Sequence, residues 1–198
     1  MTANGRYDSG AMVLHWLIAL SILALLGLGW TMVLIPLGDP LRVPLFAWHK
    51  SLGLTVLVLT LMRIFWRLKH RAPALPDAMP AWQKAASKLG HILFYILLVG
   101  LPLSGWALVS TNSRNIPTIF FGLFEVPHLP VLSTLPDKAP AHVAAQAVHS
   151  LAGWLLIGLM VIHVAAAIRH HFVLRNTVLT RMLPRFGRSS RNVWRDMR

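Results

Sequence analysis

Cysteine is absent from the 198 residues, and carboxylates number only six. The first absence excludes disulfides, thiolate-held iron–sulfur clusters and covalent C-x-x-C-H attachment of a haem, so any haem must be held non-covalently. The second leaves few acidic partners for 19 lysines and arginines, and the formal charge is +13. A pI near 11.8 would suit nucleic acid. The chain is also short of long polar stretches: 56% of it is hydrophobic and its mean hydropathy is +0.60. That is the composition of a membrane protein, and the placement of the charge fits the same reading.

Four apolar segments, at about 11–35, 45–66, 90–109 and 147–168, are each near the roughly 20 residues a helix needs to cross a bilayer. The expected fold is all-α: one integral membrane four-helix bundle over residues 1–183, followed by a basic tail over 184–198. With a cytoplasmic amino terminus, the inner segments carry 15 of the 19 cations and the outer ones only Arg42, Lys50, Arg114 and Lys138. The positive-inside rule then puts both termini in the cytoplasm of a multi-pass protein of a bacterial inner membrane, with the charges meeting lipid headgroups, not nucleic acid. Segment 11–35 is too long for the apolar core of a signal peptide and lacks a small-residue cleavage site, so it reads as a mature helix.

Asp8 or Ser9 is the expected N-cap of the first helix. A proline-rich outer turn over 36–44 leads to the second. Residues 71–88 form an inner loop with three prolines, and Pro102 with Gly105 are candidates to kink the third helix. The outer loop over 110–145 contains IPTIFFGLF, expected to lie in the membrane interface, and two histidines, His128 and His142, which read as ordinary loop residues. The carboxy-terminal segment reads as a surface helix to about Leu183, then disorder.

The chemistry is in the remaining histidines. His149 and His163 stand near opposite ends of the last apolar segment, fourteen positions apart. That spacing separates them by roughly 21 Å along the axis while leaving them within about 40° of one direction. His15 lies at the depth of His163 near the inner face, and His49 at the depth of His149 near the outer face. Two pairs at two depths describe two bis-imidazole sites. The residues at i+4, Ala19, Gly53, Gly153 and Ala167, are all small, which leaves room beside each imidazole for a flat porphyrin. His91 is followed at i+4 by Tyr95 and stands apart. Small residues also serve plain helix packing, and a single intramembrane histidine is commonly bonded to a backbone carbonyl. Structural zinc wants four ligands at one depth, and these are split two and two.

The chain resembles the bacterial cytochrome b561 family over nearly its whole length: LHW in the first helix, then WHKSLG, RIFWRLK, LGHILFY and, most specifically, IHVAAAIRHHFVLRNTVLTRMLP. The resemblance implies two b-type haems with axial ligands His15, His49, His149 and His163, and single-electron exchange with a membrane quinone. Some members pass electrons from superoxide to ubiquinone, which would make the chain a quinone-reducing oxidoreductase of the respiratory type. Other readings stay open: a cytochrome b subunit docking a partner dehydrogenase or periplasmic redox protein, and a haem-free scaffold or transporter. Lys50 on the outer side, and Arg63, Arg67 and Arg169 on the inner side, are candidates to pair haem propionates or simply to snorkel. His91, beside the Arg67, Lys69 and Arg71 cluster, is a candidate proton donor to quinone; the alternative is a histidine bonded locally at a helix start.

Overall fold

The structure is a computed structural model that describes residues 6–70, 72–74 and 79–183. Four long helices run through it: α1 (Ser9–Leu34), α2 (Arg42–Lys69), α3 (Ala81–Ser110) and, after a short α4 (Pro130–Ser133), α5 (Ala139–Ile168). All four are long and apolar enough to cross a membrane. Their outward faces remain apolar, with Leu20, Leu23, Leu151 and Ile162 exposed. A helix that is hydrophobic all round is what a hydrocarbon solvent selects.

α1 packs along α2, α2 on α3, and α3 on α5; α5 makes no comparably extensive backbone packing against α1 or α2 among the described residues. A seam therefore separates α5 from the first two helices. It is closed at mid-depth by Ile18, Ile22, Val56, Leu98 and Leu156, the buried core of the bundle. Leu156 lies seven positions from both His149 and His163, so the core plug falls between the two histidine depths.

Every span is longer than its apolar stretch predicts. α3 starts at Ala81, nine residues before the expected 90, so Trp82, Lys84 and Lys88 lie on a helix and not in a loop. α5 starts at Ala139, which corrects the assignment of His142 to a loop. Helices continue past the hydrocarbon wherever their sequence permits, whereas hydropathy marks only the hydrocarbon. Pro102 sits inside a continuous α3.

The segment IPTIFFGLF is not an amphipathic surface piece. It folds as an antiparallel hairpin, β1 (Thr118–Phe120) with β2 (Phe124–Val126), turning through Phe121 and Gly122 at positive φ. The buried Ser51 of α2 anchors it, accepting from Phe121 N–H at 3.0 Å while its own hydroxyl reaches Ala47 O at 2.9 Å.

After α5 a single π-helical turn, Arg169–Val173, ends the rod, and the expected surface helix to Leu183 does not form. Arg175 takes a left-handed φ of 49°, and the Asn176 side chain accepts from Val178 N–H, a local turn that competes with helix. The following turns lie back on the start of α1 and on the segment before α3: Trp16 Nε1 donates to Met182 O at 2.8 Å, and Arg181 Nη1 to Ala74 O at 2.6 Å. The basic tail expected over 184–198 lies outside the described residues.

Asp8 is the N-cap of α1, accepting from Ala11 N–H at 2.9 Å. It also accepts from Trp66 Nε1 at 2.8 Å, and Arg63 Nη1 donates to Ala11 O at 2.7 Å, so α2 is fastened to the start of α1. Gly10 is required there: a Cβ would collide with the Trp66 indole.

Candidate functional site

Across the seam the four histidines meet in two couples. His15 of α1 faces His163 of α5 with ring centroids 6.3 Å apart, and His49 of α2 faces His149 of α5, also at 6.3 Å. Two imidazoles sharing one metal at about 2.0 Å from each nitrogen, each nitrogen about 1.1 Å from its ring centre, place the centroids roughly 6.2 Å apart. The observed separations match that geometry. A Cβ built on Gly53 or on Gly153 meets nothing within 4 Å, so open space lies beside the upper couple where a flat ring system needs it.

The hydrogen bonds set the tautomer of His149. Ser104 Oγ donates to Leu101 O at 2.8 Å, which uses its one hydrogen. The contact of 3.0 Å between Ser104 Oγ and His149 Nδ1 must then be donated by the ring, with Leu101 O a second acceptor at 3.2 Å. Nε2 is left with its lone pair, the form a metal needs. His49 Nδ1 is buried without a protein partner.

α3 is shaped for this ring. A Cβ on Gly105 would lie 3.2 Å from His149 Cε1, so Gly105 seats the imidazole. A Cβ on Gly29 of α1 would lie 3.6 Å from His49 Cε1, an ordinary van der Waals contact, so α1 passes beside this ring without needing a glycine. Sequence reading missed Ser104; a serine–glycine pair inside an otherwise apolar span was the available signal for it.

The lower site holds a third ring. His91 of α3 also lies 6.3 Å from His163. Two features separate it from His15: α3 and α5 pack closely, leaving no seam for a porphyrin between them, and the His91 ring is bonded to the Ser87 carbonyl one turn back. Local carbonyl bonding was one of the two sequence readings of this residue. Arg63 is the cation within electrostatic reach of all three lower histidines, with Arg67 near His91 as well. Lys69 is exposed and lies over the Phe65 ring at 4.4 Å, and Arg71 is outside the described residues. Lys50 donates to Pro117 O at 2.8 Å, tying α2 to the hairpin arm. His128 is a loop residue, its Nε2 3.3 Å from Ile116 O.

Among the described residues no cluster of three or more histidine, aspartate or glutamate side chains is placed to hold a metal ion. The family model for prokaryotic cytochrome b561 matches residues 6–185. The chain is 31% identical to cytochrome b561 homolog 2 of Escherichia coli K12 over 93% of each chain. It is 27% identical to cytochrome b561 homolog 1 of the same organism, over 91% of this chain and 98% of that one. It is also 27% identical to a Yersinia pestis protein described as probable superoxide oxidase CybB, over 91% of this chain and 97% of that one.

Proposed function

Because the chain belongs to the prokaryotic cytochrome b561 family, which implies haem b, we propose that it is a di-haem electron carrier of the bacterial inner membrane. In this reading both termini are cytoplasmic, His15 and His163 ligate the inner haem, and His49 and His149 ligate the outer one. The observation that carries it is the pair of 6.3 Å ring separations across a helix seam.

Haem b held between these imidazoles would supply reversible one-electron exchange. The chain's own part is to fix the rings, keep their Nε2 lone pairs free and exclude water. Ser104 and Leu101 orient His149, and Gly105 lets α3 close on the same ring. Arg63, set among the lower histidines, is the best-placed cation for an inner propionate, with Arg67 second; Lys50 holds its backbone carbonyl and can add a propionate through its remaining hydrogens. His91, with Arg67 and Lys69 toward the cytoplasmic surface, is the place proposed for the membrane quinone that accepts the electrons; Arg71, which the sequence adds to this cluster, lies outside the described residues.

Superoxide is the favoured outer donor, supported by the likeness to the Yersinia protein. A partner dehydrogenase or small redox protein is the alternative. Stopped-flow decay of superoxide in the presence of purified protein and quinone separates them: acceleration supports the first, and decay at the uncatalysed rate removes it. A dithionite-reduced difference spectrum with a b-type α band, and two haems per chain by pyridine haemochrome, are expected; a colourless preparation would favour a haem-free scaffold or transporter.

A further inference from the structure

The cations on the outer side of the bundle are not equivalent. Arg42 Nη1 donates to Ile35 O at 2.9 Å and closes its own loop, whereas Lys50 donates to Pro117 O, which ties α2 to the hairpin arm and leaves its remaining hydrogens for a propionate. Arg114 and Lys138 instead line one cleft of about 530 Å³ between the end of α3 and the start of α5. The volume is that of a small-molecule site. The Arg114 guanidinium has no hydrogen-bonding partner among the described residues, and Lys138 uses one of its three N–H groups on Asn115 Oδ1 at 2.9 Å. Asp137 is the carboxylate in the lining, and its Oδ1 accepts from Ala139 N–H.

The wall opposite carries His142, whose Nδ1 lies 3.3 Å from Thr111 Oγ1. Thr111 is 2% exposed, and its hydrogen goes to Ala107 O at 2.8 Å. His142 therefore donates through Nδ1 to the threonine, and its Nε2 has no partner among the described residues and is open to hydrogen-bond a ligand. His142 is also seven positions before His149 on the same helix, so the two rings share a face roughly 10.5 Å apart along the axis and about 20° out of register.

We propose that this cleft binds a small soluble oxyanion, a carboxylate or phosphate compound held between Arg114 and Lys138 and oriented by His142, directly above the outer haem site. The binding stands on the cleft alone; its effect on the haem rests on the reading of His149 as a ligand. A negative charge at this distance favours the ferric state, so occupancy lowers the potential of the outer haem and leaves the inner one in place.

The test is isothermal titration calorimetry on the haem-loaded full chain in neutral detergent, with citrate, inorganic phosphate and short-chain phosphatidylglycerol as separate probes. One saturable site for citrate or phosphate is expected, weakened at least tenfold in Arg114→Gln/Lys138→Gln and unchanged in Arg42→Gln. No saturable heat, equal binding by the double variant, or binding of the lipid alone overturns the proposal. The calorimetry reads the cleft whether or not His149 holds iron, whereas the haemochrome count reads the ligand assignment, so the two failures are distinguishable. In a redox titration, citrate or phosphate is expected to lower one of two midpoints in the wild type and neither in the double variant; an equal drop in both chains overturns the coupling.

Discussion

His149 Nδ1 lies 3.0 Å from Ser104 Oγ, a hydroxyl whose only hydrogen is already given to Leu101 O. One serine thus fixes which nitrogen of the imidazole is free. Ser104→Ala removes this acceptor and leaves Leu101 O at 3.2 Å to hold the ring alone. Loss of a single partner behind a ligand typically weakens metal binding by about 10- to 100-fold. The low end is expected here because the carbonyl remains. Haem titration of the apoprotein should show one of two sites weakened; two unchanged affinities would remove the role given to Ser104.

Gly105 provides the second constraint on the same ring. A methyl group 3.2 Å from His149 Cε1 is tighter than ordinary contact, so Gly105→Ala must push the imidazole toward the seam, and Gly105→Val more so. Both variants are expected to lose haem from the outer site in that order, measured as haem per chain. Gly158→Ala is the control, because a Cβ there meets nothing within 4 Å. Equal haem loss in the control would mean that the helix, and not the ring, is the sensitive part.

The two 6.3 Å neighbours of His163 make opposite predictions. His15→Ala should reduce haem content to about one per chain, while His91→Ala should keep two and slow quinone reduction. Retention of two haems in His15→Ala, with loss in His91→Ala, would transfer the ligand role to α3 and close the seam argument.

The spans were legible because twenty apolar residues have few other fates, and the histidine couples because a spacing of fourteen returns a helix nearly to the same face. What stayed hidden depended on tertiary contact. Nothing near IPTIFFGLF marks it as a hairpin until Ser51 of α2 is brought against the Phe121 amide. Ser104 looks like a small residue in a packed helix until α5 sets His149 beside it. The extra turns of α3 and α5 lie beyond the apolar stretches, where hydropathy no longer reports helix, and this hid the position of His142 on the helix that carries His149. His91 was left between two uses by sequence, and its bond to Ser87 O explains its orientation without excluding quinone.

Stability at low pH should be controlled in part at the amino-terminal end of α1. Asp8 sits outside the membrane-spanning helices, where partial burial pushes its carboxyl upward, but the Ala11 N–H and the Trp66 indole outweigh this and hold it below the usual carboxylate range. A folded value below the unfolded one means that the stabilisation is fully present above the unfolded value of about 4 and is lost as pH falls through the folded value. Asp8→Ala removes the cap and the Trp66 contact and should cost about 1 kcal/mol at neutral pH. Asp8→Asn keeps a capping oxygen and should cost less. Thermal melts in detergent between pH 7 and about pH 3 should show the wild-type advantage over Asp8→Asn shrinking on acidification. An advantage that grows as pH falls would mean that the carboxylate is repelled, not held, by its surroundings. Because Arg63 and Trp66 join this end of α1 to α2 close to His15, the same melts followed at the haem absorption band should show the inner site loosening with the cap.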